Sequence, residues 1–135
     1  MSDKTININK TSTGCNFTDS NGNAVTTTTI DSNGGLIVAI GTGFSGPAEI
    51  TGLTLFNDDG GQKGSQNLGS WSVGNPGSQP SDEIRVTNNG TGIKINDTNN
   101  TAAEVDYFFS VNGTDGTATF SSDPELKVKR TSGGG

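Results

Sequence analysis

Apolar and polar residues alternate along most of this chain with the period of a strand. Between Lys4 and Lys10, Ile6 and Ile8 share one face, and Thr5, Asn7 and Asn9 take the other. Thr13 to Thr18 puts Cys15 and Phe17 on one side. Ala24 to Ile30 contains four consecutive threonines, Thr26, Thr27, Thr28 and Thr29, a β-branched run that suits an exposed or edge strand. Leu36 to Ile40 is the one unbroken apolar run, and its length predicts a central strand buried on both faces. Ala48 to Asn57 carries Ile50, Leu53, Leu55 and Phe56, with Gly52 breaking the alternation where a bulge would. Gly69 to Val73 and Glu83 to Val86 read as two shorter strands. The clearest alternation runs from Gly92 to Val128 and predicts a closing meander. In it Val105, Tyr107, Phe109 and Val111 face the core, and Phe108 points outward alone.

Turn chemistry separates these runs. Asn21-Gly22 is a hairpin signal, and Asp31 to Gly35 and Asn88-Asn89-Gly90 are further turns. The polar stretches Asn57 to Ser65 and Gly74 to Ser81 read as connections. No window of ten or more residues has a convincing helical period. Roughly eight to ten short strands with turns between them predict an all-β fold, a single antiparallel β-sandwich, immunoglobulin-like in outline. A closed β-barrel is the alternative. Residues 1–130 form one domain in this reading, and 131–135 a flexible tail.

Composition narrows the picture. Only 27% of the 135 residues are apolar, low for a globular chain, but only 16% are charged and the net charge is −6. Charge repulsion is thus too weak to argue for disorder. With pI near 4.3 and eight dispersed Lys and Arg, the chain lacks the clustered cations a nucleic-acid surface needs. No apolar run approaches the ~20 residues of a membrane span. The start, Met1-Ser2-Asp3-Lys4, has no apolar leader core, which predicts a cytoplasmic location; a surface or particle module is the alternative. A single cysteine, Cys15, rules out an internal disulfide.

The chain has no histidine. That removes the commonest general base and excludes Ser-His-Asp and Cys-His catalysis, so no enzymatic activity is expected. Calcium is a candidate cofactor, because it takes oxygen ligands from loop Asp, Asn and carbonyl groups. Asp58-Asp59-Gly60 and Asn96-Asp97-Thr98-Asn99 offer such groups and would share an ion if they met at one end of the sandwich. Trp71, in a Ser- and Gly-rich stretch, is the natural stacking platform for a glycan, unless it packs into the core.

The closing stretch has a further pattern. A short strand runs into Asp97-Thr98-Asn99-Asn100, an aromatic-rich strand follows (Tyr107, Phe108, Phe109, Val111), and then a strand ends in Ser122-Asp123-Pro124-Glu125-Leu126. This resembles the small bacterial proteins of the DP-EP family, and more loosely the inclusion-body proteins of the PixA and AidA type. The resemblance implies a compact β-sandwich without catalysis, some members being linked to intracellular protein inclusions. Asp123 and Pro124 would then mark a structural corner. The leading expectation is therefore a structural, self-associating protein with Phe108 or the Thr26–Thr29 strand at the interface. The alternative is a glycan-binding module, calcium-assisted, using Trp71, Asp58, Asp59, Asp97 and Asn99.

Overall fold

The computed structural model describes residues 4–31, 34–81, 84–98, 105–122 and 126–131. Among the described residues eleven strands are formed: β1 (Lys4–Lys10), β2 (Cys15–Thr18), β3 (Thr27–Asp31), β4 (Gly35–Ile40), β5 (Ala48–Asp59), β6 (Gln62–Ser72), β7 (Ile84–Asn89), β8 (Gly92–Asp97), β9 (Val105–Asp115), β10 (Ala118–Ser121) and β11 (Leu126–Thr131). One sheet has the order β2-β1-β4-β8-β7, the other β3-β11-β9-β5-β6, with β10 on β9. The fold is a β-sandwich with two separate sheets.

The core is the inward half of the alternation. Ile6, Ile8, Phe17, Leu36, Val38, Ile93 and Ile95 come from the first sheet. Leu53, Leu55, Phe109, Val111, Leu126 and Val128 come from the second. Low overall hydrophobicity is no obstacle, since each strand needs apolar residues on one face only.

Four expectations change. The sandwich is mixed, not antiparallel: β1 runs parallel to β4, and β3 parallel to β11. Both pairs join strands distant in sequence, which local turn signals do not register. Next, β4 does lie at the centre of its sheet, but only Leu36 and Val38 are fully buried; Ile37 and Ala39 are half-buried on the outer face. Among the described residues no third layer covers that face, so its partners are Thr5 and Lys94, which flank Ile37. The Asn21-Gly22 turn forms, with Asp19 N–H donating to Asn23 O at 2.9 Å. It does not make a full hairpin: β2 and β3 end in different sheets, and a lone bridge joins Thr18 to Ala24. Likewise β8 and β9 of the expected meander belong to opposite sheets.

The largest surprise is the polar stretch after Asn57. It is a long β5–β6 hairpin, turning at Gly60-Gly61 with φ of 64° and 92° and pairing Asp59 with Gln62. Its distal half is exposed, so it carries no apolar alternation to mark it. The bulge expected at Gly52 is present as a register shift between Ile50 and Gly52 against β9. Asn99, the Asp123-Pro124 corner, the Val105 side chain and the tail at 132–135 lie outside the described residues.

Candidate functional site

The threonine run resolves into an edge. Thr26 is exposed just before β3, and Thr27 opens that strand at the rim of the larger sheet. Thr28 is buried and faces inward with Ile30; Thr27 is exposed and Thr29 half-buried. Lys127 N–H donates to Thr26 O at 3.1 Å. In a parallel ladder alternate residues bond the neighbour, so Thr27 and Thr29 turn their backbone groups to the open rim. The Lys4 ammonium, arriving from the other sheet, donates to Thr29 O at 3.1 Å. A lysine at a sheet edge in this position discourages pairing with a second chain.

Phe108 points away from the core, as the alternation requires, yet it is only 8% exposed. Its ring lies beside Phe56 on β5 and Lys127 on β11, its register partners. The Lys127 ammonium stands 5.9 Å from the Phe108 centroid and 3.8 Å from the Asp106 carboxylate. Lys63 covers Phe56 in the same way at 4.0 Å. The outer aromatics are thus capped by cations within the chain, each contact contributing about 0.5–1 kcal/mol. Phe108 offers little free surface for an interface.

The acidic stretches sit toward one end of the sandwich, because Asn57 pairs with Tyr107 at the start of β9, just after the chain leaves Asp97. They do different work there. Asp58 Oδ1 accepts the Gly61 N–H at 2.9 Å and holds the hairpin turn, while Asp59 is exposed. Asp97 is buried at the end of β8, with its N–H on Gly34 O at 2.9 Å. Among the described residues no three acidic, Cys or His side chains gather as metal ligands.

Trp71 corrects the stacking platform. It is 2% exposed and lies in the core, paired with Leu53 across the β5–β6 ladder. Strand alternation puts Ser70 and Ser72 outward and Trp71 inward. No ring face is open to a sugar. Its Nε1 has no hydrogen-bond partner among the described residues.

Two features escaped sequence reasoning. The first is Asp115, whose carboxylate accepts Gly46 N–H at 2.7 Å and Ser45 N–H at 3.1 Å, with Lys10 Nζ at 3.7 Å. Those backbone donors, and then Lys10, hold its pKa below the usual carboxylate value, against the opposing effect of desolvation. The second is an open trough of about 610 Å3 on the outer face of the smaller sheet, lined by Asn7, Asn9, Asn16, Thr18, Asp19 and Thr42 among others. Asn9 is its hub: Nδ2 donates to Thr18 Oγ1 at 2.9 Å, and Oδ1 accepts Thr42 N–H at 2.9 Å. The signal was the polar half of the first strand, Thr5, Asn7 and Asn9, but which strands extend that face depends on sheet order.

Cys15 is buried and free, and burial raises its thiol pKa although Lys10, its cross-strand partner, pulls the other way. It packs as a core residue beside Phe17 on the inward face of β2. No protein-family model matches the chain, and no curated protein matches it.

Proposed function

We propose that this chain is a non-catalytic, self-associating structural protein of the cytoplasm, and that two copies join through the rim of β3. The observation that carries this is the rim itself. Among the described residues Thr27–Asp31 pairs on one side only; it lacks proline and presents outward backbone groups at Thr27 and Thr29. An isologous β3–β3 contact would extend the larger sheet across two chains. The single lysine over Thr29 is an exposed contact that a second strand can displace. Few rim residues are involved, so association is weak and concentration-dependent. The resemblance of the closing stretch to DP-EP and PixA/AidA-type proteins points the same way. The frame supports an immunoglobulin-like reading, with β4-β8-β7 packed against β11-β9-β5-β6.

Light scattering across a concentration series is the test. The expected result is a mass rising above 13.8 kDa with concentration. Thr27→Pro removes a rim N–H that bonds nothing in the ladder, and should return the mass to the monomer without loss of fold. A constant 13.8 kDa mass in the wild type would sink the reading. Phe108→Ser is a poor substitute, because Phe108 is packed against its own chain.

A second reading, a glycan-binding module aided by calcium, draws its support from the Asn- and Thr-lined trough. Titrating a saccharide panel with and without calcium, read on the Asn7 and Asn16 side-chain amides, checks it. Absence of any saturable shift removes it.

A further inference from the structure

Asn21, Asn33, Asn89 and Asn112 are each followed by glycine. Asn33 lies outside the described residues. The other three share one local chemistry and sit in different settings. In an Asn-Gly pair the glycine nitrogen can attack the asparagine side-chain carbonyl, because no Cβ on the second residue blocks the approach. The reaction needs that nitrogen free to lose its proton and a backbone free to bend toward the side chain.

Asn21-Gly22 fails the first condition. The Gly22 N–H donates to Asp19 O at 3.0 Å, and Asp19 Oδ1 accepts the Asn21 and Asn23 N–H groups at 2.9 and 3.0 Å. Asn112-Gly113 fails the second. Gly113 is paired on both sides, with Ile50 and Phe120, and the Asn112 side chain lies over Gly52 on β5. Asn89-Gly90 meets both. Asn89 pairs with Gly92, which leaves Gly90-Thr91 as the turn at the tip of the β7–β8 hairpin. Asn89, Gly90 and Thr91 are exposed. Gly90 has φ of 71°, and its N–H has no acceptor among the described residues.

We propose that Asn89 is a site of self-modification, deamidating through a cyclic imide to aspartate and isoaspartate. The Gly90 nitrogen gives up its proton and bonds to Asn89 Cγ. The bond from Cγ to the side-chain nitrogen breaks, and ammonia leaves. Water then opens the imide. Opening at Cγ gives aspartate; opening at the main-chain carbonyl gives isoaspartate, whose backbone runs through Cβ and Cγ. One water is consumed and one ammonia released. The turn is also a tie between the sheets. Thr91 O accepts the Ile50 N–H of β5 at 2.8 Å, and Gly92 lies against β4, where a Cβ would clash with Val38 O. The longer isoaspartyl backbone pulls Thr91 off that bond, whereas ordinary aspartate adds only charge. The site lies in the sheet that lacks β3, apart from the association rim.

The test is incubation of the folded chain in warm, mildly alkaline buffer, read by peptide mass mapping and by enzymatic methylation of isoaspartate. Asn89 should convert first. Asn21 should lag by roughly two- to tenfold, the weight of the hydrogen bond that Gly22 must break, and Asn112 should stay intact. In urea the order imposed by the fold should disappear. Asn89→Gln should yield no product at this turn, because the longer side chain closes its ring far more slowly. The isoaspartyl fraction should exchange its Ile50 amide hydrogen faster than Asn89→Asp, which carries the charge without the added backbone atom. Folded-state conversion at Asn89 no faster than at Asn21 or Asn112 would overturn the site. Equal Ile50 exchange in the isoaspartyl fraction and Asn89→Asp would overturn its coupling to the sheets.

Discussion

Ser122 stands in the gap between β10 and β11 and does the work of a strand residue with its side chain. Its N–H donates to Val111 O at 2.7 Å, and its Oγ accepts Val111 N–H at 2.9 Å, so the ladder on β9 has no orphan there. The site is buried. Ser122→Ala would leave the Val111 N–H out of water without an acceptor, at a cost of about 1–3 kcal/mol. Urea unfolding of the two proteins checks this, and an unchanged midpoint would mean that another group takes over. Asp115 acts at the same scale on the loop before β5. Its pKa is lower in the folded chain than the ~3.9 of a free aspartate. Its contribution is therefore present above about pH 4 and is lost as pH falls through the lower folded value. The thermal midpoint of the wild type should fall more steeply between pH 5 and pH 2 than that of Asp115→Asn. Parallel curves would show that Asp115 does not carry the acid sensitivity.

At the scale of elements, β6 shows how an edge strand accepts a neighbour that is not a strand. Its register against β5 shifts between Leu55 and Phe56, where Gly69 and Asn67 take the partner positions. Gly69 has φ of 148°, and a Cβ there would clash with the Pro80 carbonyl oxygen. Glycine thus lets the segment crossing to β7 lie directly on β6, which closes the open side of the sandwich. Gly69→Ala should cost about 1–3 kcal/mol from backbone strain, with the steric clash adding to it. The Trp71 fluorescence maximum should shift as the crossing lifts away. An unchanged stability and spectrum would argue that the segment is not held at this point.

Across the whole molecule, the arrangement leaves five strands paired on one side only among the described residues: β2 and β7 in one sheet, β3, β6 and the short β10 in the other. They are not equivalent. The crossing from Val73 to Ser81 joins β6 to β7 and closes that side. On the opposite side the Lys4 contact is the described tie from β1 to the outer rim of β3. The rim of β3 is the proposed association seam, and the Thr27→Pro experiment is aimed there. The outer aromatics do not compete for that role, because Lys63 and Lys127 already cover them.

The alternation in the sequence determined which residues enter the core. Ile6, Ile8, Leu53, Leu55, Phe109 and Val111 all face inward as their spacing requires, since side-chain direction in a strand is a local property of the backbone. The fold class, the bulge at Gly52 and the edge position of the threonine run were legible for the same reason. Pairing was not. The parallel contacts of β1 with β4 and β3 with β11 join segments far apart in the chain. So does the capping of Phe108 by Lys127. The β5–β6 hairpin was hidden because an edge strand wet on its distal half carries no apolar period. Trp71 depended on both levels: alternation turned it inward, but only the tertiary structure left its N–H buried without an acceptor among the described residues. Periodicity decides what one strand hides, and tertiary contact decides what that hidden face meets.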